Sequence, residues 1–408
     1  MKLKPAVLCN AARAIRSVVR DDTNAWLRVT WTNGVECRFP YVWLRDNCPA
    51  LHTYQLSEVS KARLMTLDQL DPDVAPLSVR HTPTQLALVW PPHLPATYSA
   101  HWLAMHNLDD IEVRSRRPEV HLNQKRLWDK KLLLANAQSW DFPSLFADKK
   151  HLHDALTELC VWGLIRIQNA PAQIGQLQRL AKLIGYHFTT HYGEFFSVRA
   201  SPNPSNVAYT TSALGFHTDL PYLAYPPQVQ CLHVVKQFPG EGGETAFVDG
   251  FQVAKYIREH EPQLYDLLCS VPLEYVDDGR DYIDFDLTHK YPVFNVDNWG
   301  NLRHIQFSNQ QRSWFYECPV EQVREVYRAM VAFNRLLNHP ANMIQIKMNQ
   351  GEIVMFDNLR VLHARRGFQL GEGQERHLEG CYFLWDVIKS RIRRLRDQLD
   401  LQPNQISI

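Results

Sequence analysis

The 408-residue chain has little net charge, little glycine and no long apolar run. Its 44 Lys and Arg residues nearly cancel its 43 Asp and Glu residues, which favours neither nucleic acid nor an anionic membrane as a partner. No apolar run approaches the ~20 residues needed to span a bilayer. With 17 Gly and 24 Pro, the composition is typical of a loop-rich fold rather than a Gly-rich nucleotide binder.

Cysteine is also sparse, with eight residues scattered along the chain and no disulfide framework. Nothing resembles a secretory signal, so we expect an intracellular, cytoplasmic protein. The first twenty residues are the exception, because they contain five Lys and Arg residues and no acid. That pattern is compatible with a mitochondrial transit peptide, although we favour a short surface helix that leads into the first strand.

Three segments differ in pattern. Residues 1–105 predict a small β domain, because apolar and polar residues alternate on both sides of the turn Asn33-Gly34. Residues 106–145 are charged and irregular, and we interpret them as a connector. Residues 146–408 predict a separate domain with two helices near its start, the second stopped by Gly185.

That larger domain contains many short apolar strands and one long amphipathic helix at about 319–338. Many short strands with few helices indicate a β-barrel or jelly roll decorated by helices. The predicted fold class is therefore mainly β with helices, a double-stranded β-helix (jelly roll) preceded by the small N-terminal β domain.

The motif "GFHTDLPY" carries the strongest chemical signal, His217-x-Asp219. In a strand, residues i and i+2 point to the same face, so the imidazole and carboxylate can converge on one ion. His363 follows a later apolar strand and can complete a set of two His and one carboxylate, which is typical of non-haem Fe(II) sites. His-x-Asp alone is weak, since the chain has 18 His.

Arg376 lies 13 residues after His363, just before the last predicted strand. A guanidinium there can bind the carboxylate of a 2-oxo acid with two hydrogen bonds. Two other classes use a similar metal set, a non-catalytic metal-binding jelly roll and a zinc hydrolase. Neither explains an arginine after the distal histidine.

These residues and their surroundings resemble the γ-butyrobetaine and trimethyllysine hydroxylase family of Fe(II)/2-oxoglutarate dioxygenases. Within that family, the sequence is more similar to the γ-butyrobetaine branch. The resemblance covers residues 25–396 and is carried by "VWLRDNCP", "GGETAFVDGF", "FDNLRVLHARRGF" and "RHLEGCYFLWDVIKSRIRRLR". It implies Fe(II) held by His217, Asp219 and His363, 2-oxoglutarate held by Arg376, O2 as oxidant and ascorbate as reductant. The implied reaction is hydroxylation of a small trimethylammonium substrate, with γ-butyrobetaine to L-carnitine favoured and trimethyllysine or another quaternary ammonium compound as the alternative.

The resemblance also implies an aromatic cage for the trimethylammonium group, which aromatic ring faces attract. The cage positions are Tyr192, Phe196, Tyr209, Leu220 and Tyr382. The family usually has Trp where Phe196 stands and Tyr where Leu220 stands, so the cage is weaker in this chain. Asn206 and Asn309 match polar positions that would meet the substrate carboxylate.

The structural zinc site of the N-terminal domain is a second feature, after the aromatic cage, in which this chain differs from the family pattern. The family usually binds it through three cysteines and a later histidine, whereas this chain retains Cys48, with His52 and His93 as further ligands and His81 as a candidate fourth. Cys48, His52 and His93 supply three ligands at best without His81, whereas a structural zinc site needs four, so we expect the zinc to be lost.

Two charged runs have simpler interpretations. The acidic segment 277–286 lacks the ligand order of an EF-hand, and we interpret it as a solvated or substrate-side loop. The basic run 391–396 predicts the basic face of a C-terminal helix, with a homodimer contact as one use for it, rather than a nucleic-acid patch.

Overall fold

The computed structural model describes residues 14–49, 53–56, 61–109, 125–199, 210–280 and 282–401. The chain divides into two compact units, Met1–Val120 and His121–Ile408. Within the described ranges, no helix is both long enough and apolar enough to cross a membrane.

The smaller unit is built from short antiparallel sheets in the orders β1-β2-β3, β4-β5 and β6-β7-β8, with two short helices and a 3-10 turn at Leu67–Gln69. Its strands are β1 Ile15–Asp21, β2 Trp26–Trp31, β3 Glu36–Pro40, β4 Tyr54–Leu56, β5 Lys61–Arg63, β6 Ser78–His81, β7 Gln85–Trp90 and β8 Leu94–Ser99. Its helices are α1 Tyr41–Asp46 and α2 Ala100–Met105.

The predicted hairpin is confirmed, because β2 and β3 pair across the turn that contains Gly34, at a φ of +81°. Leu27, Val29 and Trp31 alternate into the core as a half-buried strand requires. Two details differ from the prediction. Within the first twenty residues, for which a surface helix is predicted, residues 1–13 lie outside the described ranges and a strand begins at Ile15. The second strand of the hairpin stops at Pro40, and α1 begins at Tyr41.

The larger unit contains a six-stranded sheet, β11-β23-β13-β21-β10-β9, and a four-stranded sheet, β12-β22-β14-β20, with smaller sheets β16-β15-β19 and β17-β18. Its strands are β9 Ser139–Asp141, β10 Leu164–Gln168, β11 Phe196–Arg199, β12 Leu214–His217, β13 Val229–Lys236, β14 Thr245–Asp249, β15 Leu273–Arg280, β16 Asp284–Tyr291, β17 Phe294–Val296, β18 Leu302–Ile305, β19 Arg312–Tyr316, β20 Met343–Ile346, β21 Ile353–Asp357, β22 Val361–Arg365 and β23 His377–Phe383. Its helices are α3 Lys130–Asn136, α4 Phe142–Ala147, α5 Lys149–Trp162, α6 Gln176–Ile184, α7 Gly250–His260, α8 Pro262–Ser270, α9 Val320–Leu337 and α10 Trp385–Gln398.

The two main sheets face each other across a shared core. The rings of Phe247 on β14 and Phe356 on β21 meet edge to face, with centroids 5.2 Å apart. Alternate residues of the six-stranded sheet point the other way, where Met355 and Cys381 share a second core with helical residues such as Ile388. This arrangement of two facing sheets with helices outside one of them confirms the predicted jelly roll.

Two segments, one interpreted as a loop and one as a connector, contain regular structure. The acidic segment 277–286 is not a loop, because its described residues belong to the hairpin of β15 and β16, in which Asp277 pairs with Leu287. The second half of the predicted connector belongs to the larger unit, where Trp128 is 1% exposed and its indole donates a hydrogen bond to the Trp162 carbonyl at 2.7 Å. The predicted helices at Gln176–Ile184 and Val320–Leu337 are both present.

Candidate active site

His217, Asp219 and His363 lie together at the end of the four-stranded sheet. His217 ends β12 and pairs directly with His363 on β22, so the two imidazole centroids are 4.1 Å apart. The predicted reason for the convergence of His217 and Asp219 is wrong, because β12 stops at His217 and Asp219 lies beyond the strand. The turn brings the carboxylate back toward the imidazoles, and the next residue, Leu220, has a φ of +58°.

Asn358 holds this turn in place. Its side-chain oxygen accepts a hydrogen bond from the Asp219 backbone nitrogen at 2.7 Å, and its amide nitrogen donates to the carbonyls of Asp219 and Pro227 at 3.1 and 2.9 Å. Asn358 is fully buried, so one side chain ties the loop after β12 to the turn after β21. The sequence offered no signal for this role.

The three side chains present a compact set of metal-ligating atoms. Asp219 Oδ1 lies 3.3 Å from His217 Nε2 and 3.5 Å from His363 Nε2, and one ligand atom from each residue lies within 4.8 Å of the others. Two imidazoles and one carboxylate on one side of an ion leave positions open for other ligands, as in non-haem Fe(II) enzymes. The donor set therefore fits Fe(II).

Hydrogen bonds orient two of these groups. His217 Nδ1 lies 2.8 Å from the Gly215 carbonyl, which can only accept, so Nδ1 carries the hydrogen and Nε2 keeps its lone pair for a metal. Tyr382 donates its phenolic hydrogen to Asp219 Oδ2 at 2.7 Å, which leaves Oδ1 facing the imidazoles.

The electrostatic surroundings favour the ligand forms of these side chains. Burial and the neighbouring His217 lower the pKa of His363 to about 3, so its ring is neutral at physiological pH. Burial alone would raise the pKa of Asp219, but His363, His217 and the Tyr382 hydroxyl lower it to about 2. Metal binding needs both forms, a neutral imidazole and a carboxylate.

Arg376 lies on the wall of the same cavity as the three ligands. It is 5% exposed, its Nε has no hydrogen-bond partner, and no carboxylate of the described residues pairs with its guanidinium. Burial and the nearby Arg365 lower its pKa to about 10, so it remains charged at neutral pH. A buried cation without a counter-charge is costly, and a carboxylate ligand would supply the missing partner.

The neighbouring arginines are less suited to that task. Arg365 donates from one guanidinium nitrogen, Nη2, to the carbonyls of Thr210 and Ser212 at 2.8 and 2.7 Å, which ties that end of the side chain to the protein backbone. Arg366 is 65% exposed and faces Glu244. Arg376 is thus the arginine whose geometry fits a bound dicarboxylate.

The cavity has a volume of about 230 Å³ and an aromatic side next to the metal ligands. Phe196 and Tyr382 stack with ring centroids 5.0 Å apart, and Tyr192 lies 6.3 Å from Phe196. Leu220 lines the same cavity. Four predicted cage positions therefore surround one space.

Three predicted substrate residues are not placed there. Tyr209 and Asn206 lie outside the described residues. Asn309 is exposed, accepts a hydrogen bond from Arg312 at 3.3 Å and is not among the residues that line the cavity, so its contact with a substrate carboxylate stays a prediction. Its neighbours Ser308 and Gln310 line the cavity instead.

Of the predicted zinc residues, the structure describes Cys48, His81 and His93, and these three form no metal-binding cluster. Cys48 is fully buried, whereas His93 and His81 are exposed. His52 lies outside the described residues. Over the ranges that the structure describes, the His, Cys, Asp and Glu side chains form one potential metal cluster, that of His217, Asp219 and His363.

A jelly roll that brings two His and an Asp beside a buried arginine with no carboxylate partner in the described ranges defines the class as Fe(II)- and 2-oxoglutarate-dependent dioxygenases. Comparison with known proteins gives the family. A model described as "Taurine catabolism dioxygenase TauD, TfdA family" matches residues 129–382, and one described as "Gamma-butyrobetaine hydroxylase-like, N-terminal" matches residues 18–104. The chain belongs to the TauD/TfdA dioxygenase family, in its γ-butyrobetaine hydroxylase-like branch, and is an enzyme that uses Fe(II), 2-oxoglutarate and O2.

Relatives align along nearly the whole chain. The chain is 33% identical to γ-butyrobetaine dioxygenase of Homo sapiens, over 92% of this chain and 95% of the relative. It is 31% identical to γ-butyrobetaine dioxygenase of Pseudomonas sp. strain AK-1, over 89% and 92%. It is 30% identical to the mitochondrial trimethyllysine dioxygenase of Rattus norvegicus, over 88% and 83%.

Proposed function

We propose that this enzyme hydroxylates a small trimethylammonium substrate, with γ-butyrobetaine to L-carnitine as the favoured reaction. The observation that carries the proposal is the aromatic cavity wall of Tyr192, Phe196 and Tyr382 beside the metal ligands. A trimethylammonium group donates no ordinary hydrogen bond, so rings are suitable partners for it. The names of the relatives support the same substrate class.

The iron, the cosubstrate and the oxidant each have a separate role in the proposed reaction. His217, Asp219 and His363 would hold Fe(II), and Arg376 would hold the distal carboxylate of 2-oxoglutarate. With O2, these groups supply the oxidant for an unactivated C–H bond, and succinate and CO2 are the co-products. Ascorbate is the proposed reductant that maintains Fe(II).

The protein's own contribution is positioning and the exclusion of water. Buried rings surround the cation and replace its hydration shell, while Arg376 sets the position of the cosubstrate. Asn206 and Asn309 stay predictions for the substrate carboxylate, and Tyr209 stays a prediction for the rest of the cage.

The alternative substrate is trimethyllysine or another quaternary ammonium compound. Phe196 and Leu220 give the cation a smaller aromatic surface than the Trp and Tyr of the family pattern, and each cation–π contact contributes about 0.5–2 kcal/mol. A bulkier substrate would use the space beside Leu220. Because the aromatic wall fits either cation, the two substrates are distinguished by comparing their kcat/KM values.

A substrate panel tests the proposal. Succinate formation by the Fe(II)-loaded enzyme would be measured with γ-butyrobetaine, trimethyllysine and their dimethylamine analogues, at one 2-oxoglutarate concentration. We expect the highest kcat/KM for γ-butyrobetaine and a lower value for each dimethyl analogue. Turnover that prefers an uncharged or primary-amine substrate would overturn the trimethylammonium assignment.

The proposal also includes the cellular compartment and the oligomeric state of the enzyme. We propose the cytoplasm on the basis of the composition, with mitochondria as the alternative, and fractionation of the untagged protein distinguishes the two. A homodimer stays a prediction that analytical ultracentrifugation can test. The arginines of α10 are compatible with it, since Ile388, Ile392 and Leu395 are buried while Arg394 is exposed.

A further inference from the structure

Asp277 is an acidic side chain inside the candidate active site that the sequence interpretation assigned to a loop. It lies on β15, two residues after the fully buried Tyr275, so both side chains point to the inner face of the hairpin. Asp278 points the other way and is exposed. Asp277 lines the cavity and, outside the metal ligands, is the one acidic residue among its described lining residues.

The carboxylate is held by phenols. Tyr192, a member of the aromatic wall, donates its hydroxyl hydrogen to Asp277 Oδ2 at 3.2 Å. The Tyr222 hydroxyl lies 3.5 Å from the Tyr192 hydroxyl and is 3.2 Å from His191 Nε2. These contacts fix the carboxylate at the aromatic side of the cavity.

Within the described part of the chain, no Lys, Arg or His forms an ion pair with Asp277. Its surroundings are apolar and phenolic, and this burial raises the pKa of the carboxyl group. The cavity's arginines, Arg365 and Arg376, belong to the proposed cosubstrate side. The cavity therefore offers a negative group beside the aromatic rings and positive groups beside the cosubstrate position.

We propose that Asp277 is the ionic anchor of the substrate cation, a specificity-determining residue that compensates for the smaller aromatic surface at Phe196 and Leu220. This proposal rests on the proposed function. A quaternary nitrogen has no N–H, so the carboxylate attracts it through charge alone, across its methyl groups. Asp277 thus favours a permanent cation over a neutral group of the same shape.

The test compares γ-butyrobetaine with 5,5-dimethylhexanoate, in which a carbon atom replaces the nitrogen. Both would be measured as competing ligands and as substrates of the Fe(II)-loaded enzyme. In Asp277→Asn the amide oxygen can still accept the Tyr192 hydrogen bond. We expect its KM for γ-butyrobetaine to rise about tenfold while the inhibition constant of the isostere stays within about twofold.

Two further variants control for structure and for net charge. Asp278→Asn removes the same charge from the exposed face of the same strand and is expected to leave both constants unchanged. Asp277→Glu keeps the charge and is expected to retain the preference for the cation, which also covers the case in which Asp277→Asn folds poorly.

The outcomes separate this proposal from the proposed function. If the unmodified enzyme turns over no trimethylammonium substrate, both fail. If it turns over γ-butyrobetaine and Asp277→Asn binds it unchanged, or weakens the cation and the isostere equally, Asp277 is not an ionic anchor while the proposed function stands.

Discussion

The phenol of Tyr382 and the carboxylate of Asp219 are joined by a hydrogen bond of 2.7 Å, between the hydroxyl and Oδ2. Tyr382 also stacks on Phe196 in the aromatic wall. One side chain therefore contacts both the proposed cation site and a proposed iron ligand. The bond fixes which oxygen of Asp219 faces the imidazoles.

Tyr382→Phe should weaken Fe(II) binding while leaving the aromatic wall intact. Removing a group that hydrogen-bonds a metal ligand typically lowers metal affinity 10- to 100-fold. We therefore expect the apparent Fe(II) dissociation constant to rise about tenfold. Iron titration of the metal-free protein measures this directly. Unchanged iron affinity would show that the bond does not orient Asp219. Tyr256→Phe, at a partly exposed tyrosine of α7, is the control.

Replacing any of His217, Asp219 or His363 with Ala should abolish Fe(II)-dependent succinate formation, because two ligands do not hold the ion in an open site. The fold should persist, and circular dichroism would check it. His260→Ala changes an exposed histidine of α7 and should retain full activity. Activity in any of the three ligand variants would contradict the assignment of that residue.

Arg376→Lys should raise the KM for 2-oxoglutarate about tenfold or more, since a lysine cannot reproduce the two parallel hydrogen bonds of a guanidinium to a carboxylate. Arg366→Lys, at an exposed position nearby, should leave that KM unchanged. If the two variants behave alike, the cosubstrate is bound elsewhere.

Leu220→Tyr should lower the KM for γ-butyrobetaine several-fold, because it adds a ring to the cavity wall. Leu and Tyr are both non-glycine residues, so the positive φ of +58° at position 220 disfavours each of them. If the substrate is bulkier, the added ring occupies its space and the KM rises. The sign of the change therefore decides between γ-butyrobetaine and a bulkier substrate.

Sequence reasoning was most informative where residue spacing carries the chemistry. His217 and His363 are far apart in sequence yet face each other across β12 and β22, and the search for a distal histidine after a strand found the pair. The fold class followed from the many short strands. Arg376 was identified by its distance from His363, but only the structure shows that its guanidinium is buried and pairs with no carboxylate of the described residues.

The remaining features depend on contacts that no local pattern encodes. Asn358 and Tyr382 act on Asp219 from 139 and 163 positions away. Asp277 lies in a run of acidic residues. In a strand, neighbouring residues point to opposite faces, but this alternation is hard to recognise in the sequence when the neighbours are all acidic. Asn309 stays a prediction for a related reason, since the structure lines the cavity with its neighbours Ser308 and Gln310.

Product analysis under ¹⁸O2 tests the central claim most directly. The Fe(II)-loaded enzyme would be incubated with γ-butyrobetaine and 2-oxoglutarate, and the hydroxylated product and succinate would be quantified by mass spectrometry. The account predicts equal amounts of the two products and one ¹⁸O atom in the new hydroxyl group, with neither product formed by the Asp219→Ala variant. Succinate without hydroxylated product, or a hydroxyl oxygen derived only from water under conditions of slow exchange, would contradict it.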